Sequence, residues 1–164
     1  MELSCVDVLL QSLIKKNGVL DRLMDLGQRQ EELLRQEELN MDELNTLLEE
    51  QAGLVAELDR LDQGFELVYD RCREAIIGHK EEFREEIRQM QECIQQITAK
   101  ISSINACNMR NKVAAESHFR REKQAISESV SKSKAARNYY NSMNMYLRSF
   151  MIIRSDQISP SCYM

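Results

Sequence analysis

One proline, five glycines and no tryptophan in 164 residues leave too few chain breakers for an all-β chain, which needs a turn about every ten residues. They are also too few for an α/β chain with its glycine-rich loops. No apolar run approaches the roughly 18 residues a membrane span requires. The N-terminal stretch MELSCVDVLLQSLIKKNG lacks the basic start, apolar block and small-residue cleavage site of a secretory signal. Membrane insertion is therefore not expected, and a cytoplasmic location is. The five cysteines, Cys5, Cys72, Cys93, Cys107 and Cys162, are odd in number, widely separated and without CxxC spacing. Reduced thiols are expected rather than a disulfide framework or a zinc site.

What the chain has in quantity is amphipathic material: 43% hydrophobic and 30% charged residues, enough to bury a core and typical of an all-α protein. The net charge of −5 conceals an asymmetry. Residues 1–109 carry 12 basic and 23 acidic side chains, whereas residues 110–164 carry 10 and 4. An acidic majority argues against nucleic acid as the partner. The basic end reads either as a solvated face or as a means of holding an acidic partner or the chain's own acidic helices.

Apolar positions recur at steps of three and four. One seam runs Leu44, Leu47, Leu54, Leu58, Leu61, Phe65, Val68, Cys72, Ala75, interrupted at Gln51. A second runs Phe83, Ile87, Met90, Ile94, Ile97, Ile101, Ile104 and then meets Asn108 and Asn111. Those two asparagines either set register at a cost in stability or wet the seam so that a C-terminal helix can leave. The first segment is looser. Leu3, Val6, Leu10, Leu13, Leu20, Met24 and Leu34 form its seam, with Leu9, Leu23 and Leu33 beside it, a width suited to two neighbours.

Capping chemistry marks the boundaries. Asn40 with Glu43 three residues on is a helix start, so the first helix ends near Glu38. The eight-residue step from Ala75 to Phe83 puts a turn around Ile77–Lys80, at Gly78. Segments 2–38, 42–77 and 80 to roughly 130 are each long enough, at 1.5 Å per residue, to fold back as antiparallel neighbours. The expected architecture is an elongated bundle or coiled coil of three to four long helices over residues 1–129. The seams at 44–75 and 83–104 should lie against each other and against the first helix.

Residues 130–164 are different: serine-rich, basic, poor in aliphatics, and closing on a turn-rich tail beyond Arg154. Tyr139, Tyr140, Met143, Tyr146, Leu147, Phe150 and Met151 form a Tyr/Met-rich cluster that supplies polarizable, adaptable contact area. The segment reads as a mobile amphipathic helix that orders on a partner. It reads equally as a fourth core helix, or as a pairing surface for a homodimer.

Chemistry is sparse. His79 and His118 stand 39 positions apart, Glu116-Ser117-His118 lacks the second histidine of a zinc helix, and no phosphate-binding glycine loop occurs. The paired glutamates (31 and 32, 37 and 38, 49 and 50, 81 and 82, 85 and 86) read as solvated helix faces. No catalytic residue, metal or cofactor is expected.

The apolar first helix running into EELLRQEELNMDELNTLLEEQAGLVAELDRL resembles the flagellar export chaperones of the FlgN and FliT type. In these a short turn separates the first helix from an aspartate and a leucine-rich second helix. Asp42 and Leu44 to Leu61 fill those places. Ile104-Asn105-Ala106-Cys107-Asn108-Met109-Arg110-Asn111 is similar to the asparagine-containing turn of that family's third helix, and the likeness covers about residues 6–150. The serine-rich basic segment and the longer aromatic end depart from the pattern. The resemblance implies a non-enzymatic cytoplasmic chaperone that binds the terminal helices of a late flagellar protein, of the hook–filament junction or filament-cap type, and delivers it to the export gate. The rival expectation is a structural coiled-coil subunit that forms a stable oligomer.

Overall fold

The computed structural model describes residues 4–129, the last four by backbone alone, together with residues 137, 138, 141, 143 and 144. The described chain is built from three helices, α1 (Cys5–Arg35), α2 (Met41–Gly78) and α3 (Arg84–Ser129), and no strand occurs among the described residues. The all-α bundle expected from the sequence is the fold.

Each helix end has a local cause. Ser4, in extended backbone, accepts a hydrogen bond from the Asp7 amide at 3.2 Å and donates its hydroxyl to the Asp7 carboxylate at 2.7 Å. α1 stops three residues earlier than expected, at Arg35, where Gln36 turns to extended backbone and its N–H closes onto the Leu33 carbonyl. Asn40 starts α2 as anticipated, its side-chain oxygen accepting from the Asp42 and Glu43 amides at 3.1 and 3.2 Å. That satisfies two of the four amides a helix start leaves without partners. α2 ends on Gly78, and residues 79–83 turn into α3.

The close backbone approaches are those of α1, with α2 on one side and α3 on the other. The seams of α2 and α3 each pack on α1, as expected; the expected approach of the two seams to each other is not matched by a comparably close approach of their backbones. The side-chain pairings give the directions. Lys16 meets Asp62 and Gln30 meets Gln51, so α1 and α2 are antiparallel. Asn17 meets Gln96 and Gly27 meets Asn111, so α1 and α3 run parallel. At 1.5 Å per residue, α3 with its 46 residues is about 70 Å long against about 46 Å for the 31 residues of α1. Residues beyond Phe119 extend past the end of α1.

Two neighbours explain the wide apolar face of α1, where Val6, Leu9, Leu13, Leu20, Leu23 and Leu34 form one buried line and Val19, Leu26 and Leu33 a second. Leu10 and Met24, expected on the seam, are only partly buried, and Leu9 and Leu23 lie deeper. In α3, Met90, Ile94, Ile97, Ile101 and Ile104 are all buried, as their spacing requires. In α2 the stripe follows the expected seam as far as Phe65, with Leu61 only partly buried, and beyond it Cys72 stays on the seam while the positions either side shift by one residue. Tyr69 and Ile76 are buried where Val68 is half-buried and Ala75 exposed. A strict 3.5-residue repeat needs supercoiling to stay on one side; a straighter helix at 3.6 residues per turn drifts, and the slip is that drift.

The expectation of five reduced thiols is corrected. Cys5 and Cys72 are joined in a disulfide, with their Cα atoms 6.0 Å apart. Their separation of 67 positions hides the pairing in the sequence. The antiparallel course of α1 and α2 brings the first residue of one beside the penultimate turn of the other. Cys93 and Cys107 are free and half-buried, and Cys162 lies outside the described residues.

Candidate functional site: the polar-cored end

The core changes character along its length. Near the α2–α3 turn it is apolar apart from one ion pair, in which Lys16 Nζ lies 2.6 Å from Asp62 Oδ1 with both side chains largely removed from solvent. Burial pushes the Asp62 carboxyl above the usual carboxylate range, opposed by the hydrogen bond and charge of Lys16.

Toward the α1–α2 turn buried polar side chains interrupt an apolar core in which Leu33, Leu34, Leu44, Leu47, Ala115 and Phe119 are also buried. Gln30 donates to Gln51 at 2.8 Å in a fully buried bridge between α1 and α2. Asn111 donates to the Gly27 carbonyl at 3.0 Å, while its own buried carbonyl oxygen has no partner among the described residues. Asn108 and His118 are buried as well. His118 bonds through Nε2 to the Leu34 carbonyl, one of the four at the end of α1 that lack a partner within the helix. A carbonyl only accepts, so Nε2 carries the proton. α3 thus caps α1, and the cap lies at the end of α1 where α3 begins to overhang.

Gly27 makes this contact possible. A Cβ there would lie 3.2 Å from Cys107 Sγ, so α1 and α3 come close where the glycine has no side chain and Asn111 reaches the backbone. The outer face of α3 at the same level carries Met109 and Val113, 53% and 64% exposed and one turn apart. Arg110, Lys112, Arg120, Arg121 and Lys123 give this part of α3 its positive charge. Arg110 points back at Glu31 of α1, 3.9 Å away.

Of the seven residues expected to bind a partner, Met143 alone lies within the described set. It is 4% exposed and belongs to the core cluster. Tyr139, Tyr140, Tyr146, Leu147, Phe150 and Met151 lie outside the described residues.

Among the described residues no group of three or more histidine, cysteine or acidic side chains is placed to hold a metal, and no helix is long and apolar enough to cross a membrane. Most of the paired glutamates are exposed. Glu85 illustrates their setting. Hydrogen bonds from Arg88 and Gln89 on its own helix hold its carboxyl below the usual range, which is surface helix chemistry. The thiols of Cys93 and Cys107 are pushed up chiefly by burial, which leaves them poor nucleophiles.

A protein-family model described as FlgN protein matches residues 1–145. No curated protein matches the chain, and no solved structure does.

Proposed function

The chain belongs to the FlgN family of flagellar export chaperones, and from that premise we propose that it works in the cytoplasm, holding the terminal helices of a late flagellar protein unassembled and delivering them to the export gate. Its client is a hook–filament junction or filament-cap type protein. The observation that carries this reading is the concentration of buried polar side chains toward the α1–α2 turn, where Gln30, Gln51, Asn108, Asn111 and His118 are enclosed among apolar ones just short of where α3 outruns α1. Buried polar groups cost more to enclose than apolar ones, so this end gives up less on opening. Exposed Met109 and Val113 with Tyr139, Tyr140, Tyr146, Leu147, Phe150 and Met151 supply the surface for a client helix, the helix-in-groove mode of recognition, while Met143, expected among them, is buried in the core.

The test uses full-length chain and terminal fragments of the host's hook-junction and filament-cap proteins, with titration calorimetry as the readout. One fragment class should bind in a defined stoichiometry, and joint replacement of Tyr139, Tyr146 and Phe150 by alanine should weaken it at least tenfold. Absence of binding to every flagellar fragment, with a stable self-assembled oligomer in its place, would favour a structural subunit.

A further inference from the structure

We propose that Cys5 and Cys72 form a reversible thiol–disulfide clasp, a redox-modification site that opens and closes the free end of the α1–α2 hairpin. The two sulfurs are placed unequally. Cys5 is the first residue of α1, directly after the Ser4 cap, and is exposed. Cys72 is 1% exposed and sits on the α2 stripe between Tyr69 and Ile76. An incoming reagent therefore meets Cys5 first. The positive end of the α1 dipole favours negative charge at that position, so the accessible sulfur is also the one suited to react as a thiolate.

The exchange balances with a low-molecular-weight disulfide of the glutathione class as oxidant. The Cys5 thiolate attacks one sulfur of the reagent, forming a mixed disulfide and releasing one glutathione thiolate. Cys72, held beside it by α2, attacks the Cys5 sulfur and expels the second. The two cysteine thiols lose two protons and two electrons, and the oxidant becomes two molecules of reduced glutathione. Excess reduced glutathione drives the same steps backwards.

The position gives the bond mechanical consequence. Residues 36–40 already join α1 and α2 at one end, and the disulfide joins them at the other, closing a loop across 67 positions. Closing a long loop restricts the unfolded chain and stabilises the fold. Because α1 is the neighbour of both other helices, the clasp fixes the element on which the whole bundle is built. Cys93 and Cys107, half-buried on α3, have no counterpart of this kind among the described residues. The proposal does not rest on the client reading above, and its test uses no client.

The full-length chain is equilibrated over a series of oxidised-to-reduced glutathione ratios, acid-quenched, labelled with a maleimide, digested and analysed by mass spectrometry, with melting temperatures measured in parallel. The expected result is a Cys5–Cys72 linked peptide that appears at oxidising and disappears at reducing ratios, with a melting temperature on the order of 10 °C higher in the linked form. The conservative variant Cys5→Ser should fold and show no redox-dependent shift. Cys93→Ser and Cys107→Ser should behave as wild type. Full labelling of both thiols at every ratio, linkage between chains in place of within one, a linked form that melts like the reduced one, or a bond that survives excess reduced glutathione would each overturn the proposal.

Discussion

Lys16 is tolerated in the core because Asp62 is ionised beside it. Burial raises the carboxyl's pKa in the folded state above its unfolded value. The folded protein therefore holds that proton more tightly, and the group's contribution to stability is greatest at low pH and falls as pH rises through the folded pKa. Lys16→Met removes the opposing attraction and moves the pKa further up. Urea unfolding should show a deficit of about 1–2 kcal/mol near pH 7.5 that shrinks as pH is lowered toward 5; a deficit independent of pH would show that the pair does not titrate as argued. Gly27 gives a second residue-scale test. An alanine gains up to about 1 kcal/mol of helix propensity but meets Cys107 Sγ at 3.2 Å. Gly27→Ala should thus stabilise a Cys107→Ala background by about 1 kcal/mol and the wild type by less, and additivity across that double-mutant cycle would refute the close approach. Neither feature was legible in the sequence as a pair. Lys16 falls in the stretch of the α1 seam between Leu13 and Leu20, and Gln51 interrupts the α2 seam. Their partners Asp62 and Gln30 lie 46 and 21 positions away, a distance at which periodicity carries no information. The Cys5–Cys72 bond was hidden for the same reason.

Elements were far more legible than pairs, because what ends and faces a helix is mostly local. Asn40 and Gly78 stand where the helices start and stop, and every apolar seam position of α3 from Met90 to Ile104 is buried. The slip in α2 was not legible, since Ala75 and Ile76 both continue an acceptable pattern and only the real twist of the helix decides between them. That decision can be tested by thermal or chemical unfolding. Ile76→Ala should cost about 2–5 kcal/mol, whereas Ala75→Ser, on the exposed side, should stay within about 0.5 kcal/mol of wild type. Equal effects at the two positions would restore the strict heptad. Phe65→Ala and Ile94→Ala, on the parts of the seams where both registers agree, should cost about 3–5 and 2–5 kcal/mol. An unchanged melt for either would place its helix in another rotation against α1.

At the scale of the whole molecule, one helix carries the other two, its two flanks are tied differently, and the ties are graded from end to end. α1 and α2 are joined by the 36–40 turn and the Cys5–Cys72 bond. α3 is held to α1 by the apolar line up to Ile104, by the contacts of Lys100 with Asn17 and Asp21, and beyond that by Asn111 and His118 alongside buried Ala115 and Phe119. Anything that lifts the distal half of α3 breaks the Asn111 and His118 bonds to the α1 backbone and leaves the dry part intact, so partial opening costs less than unfolding. The chain after Ser129 returns to the core at least at Met143. Deleting residues 130–164 separates its structural from its functional part. The remaining helices should keep their circular dichroism, with stability lowered by about 2–4 kcal/mol for the lost methionine burial, and binding to the flagellar fragment should disappear. Met143→Ala in the full-length chain should reproduce the stability loss yet retain measurable binding, because the tyrosines and Phe150 remain. A truncated chain that binds at full affinity would move the client site onto α3 itself, to Met109 and Val113.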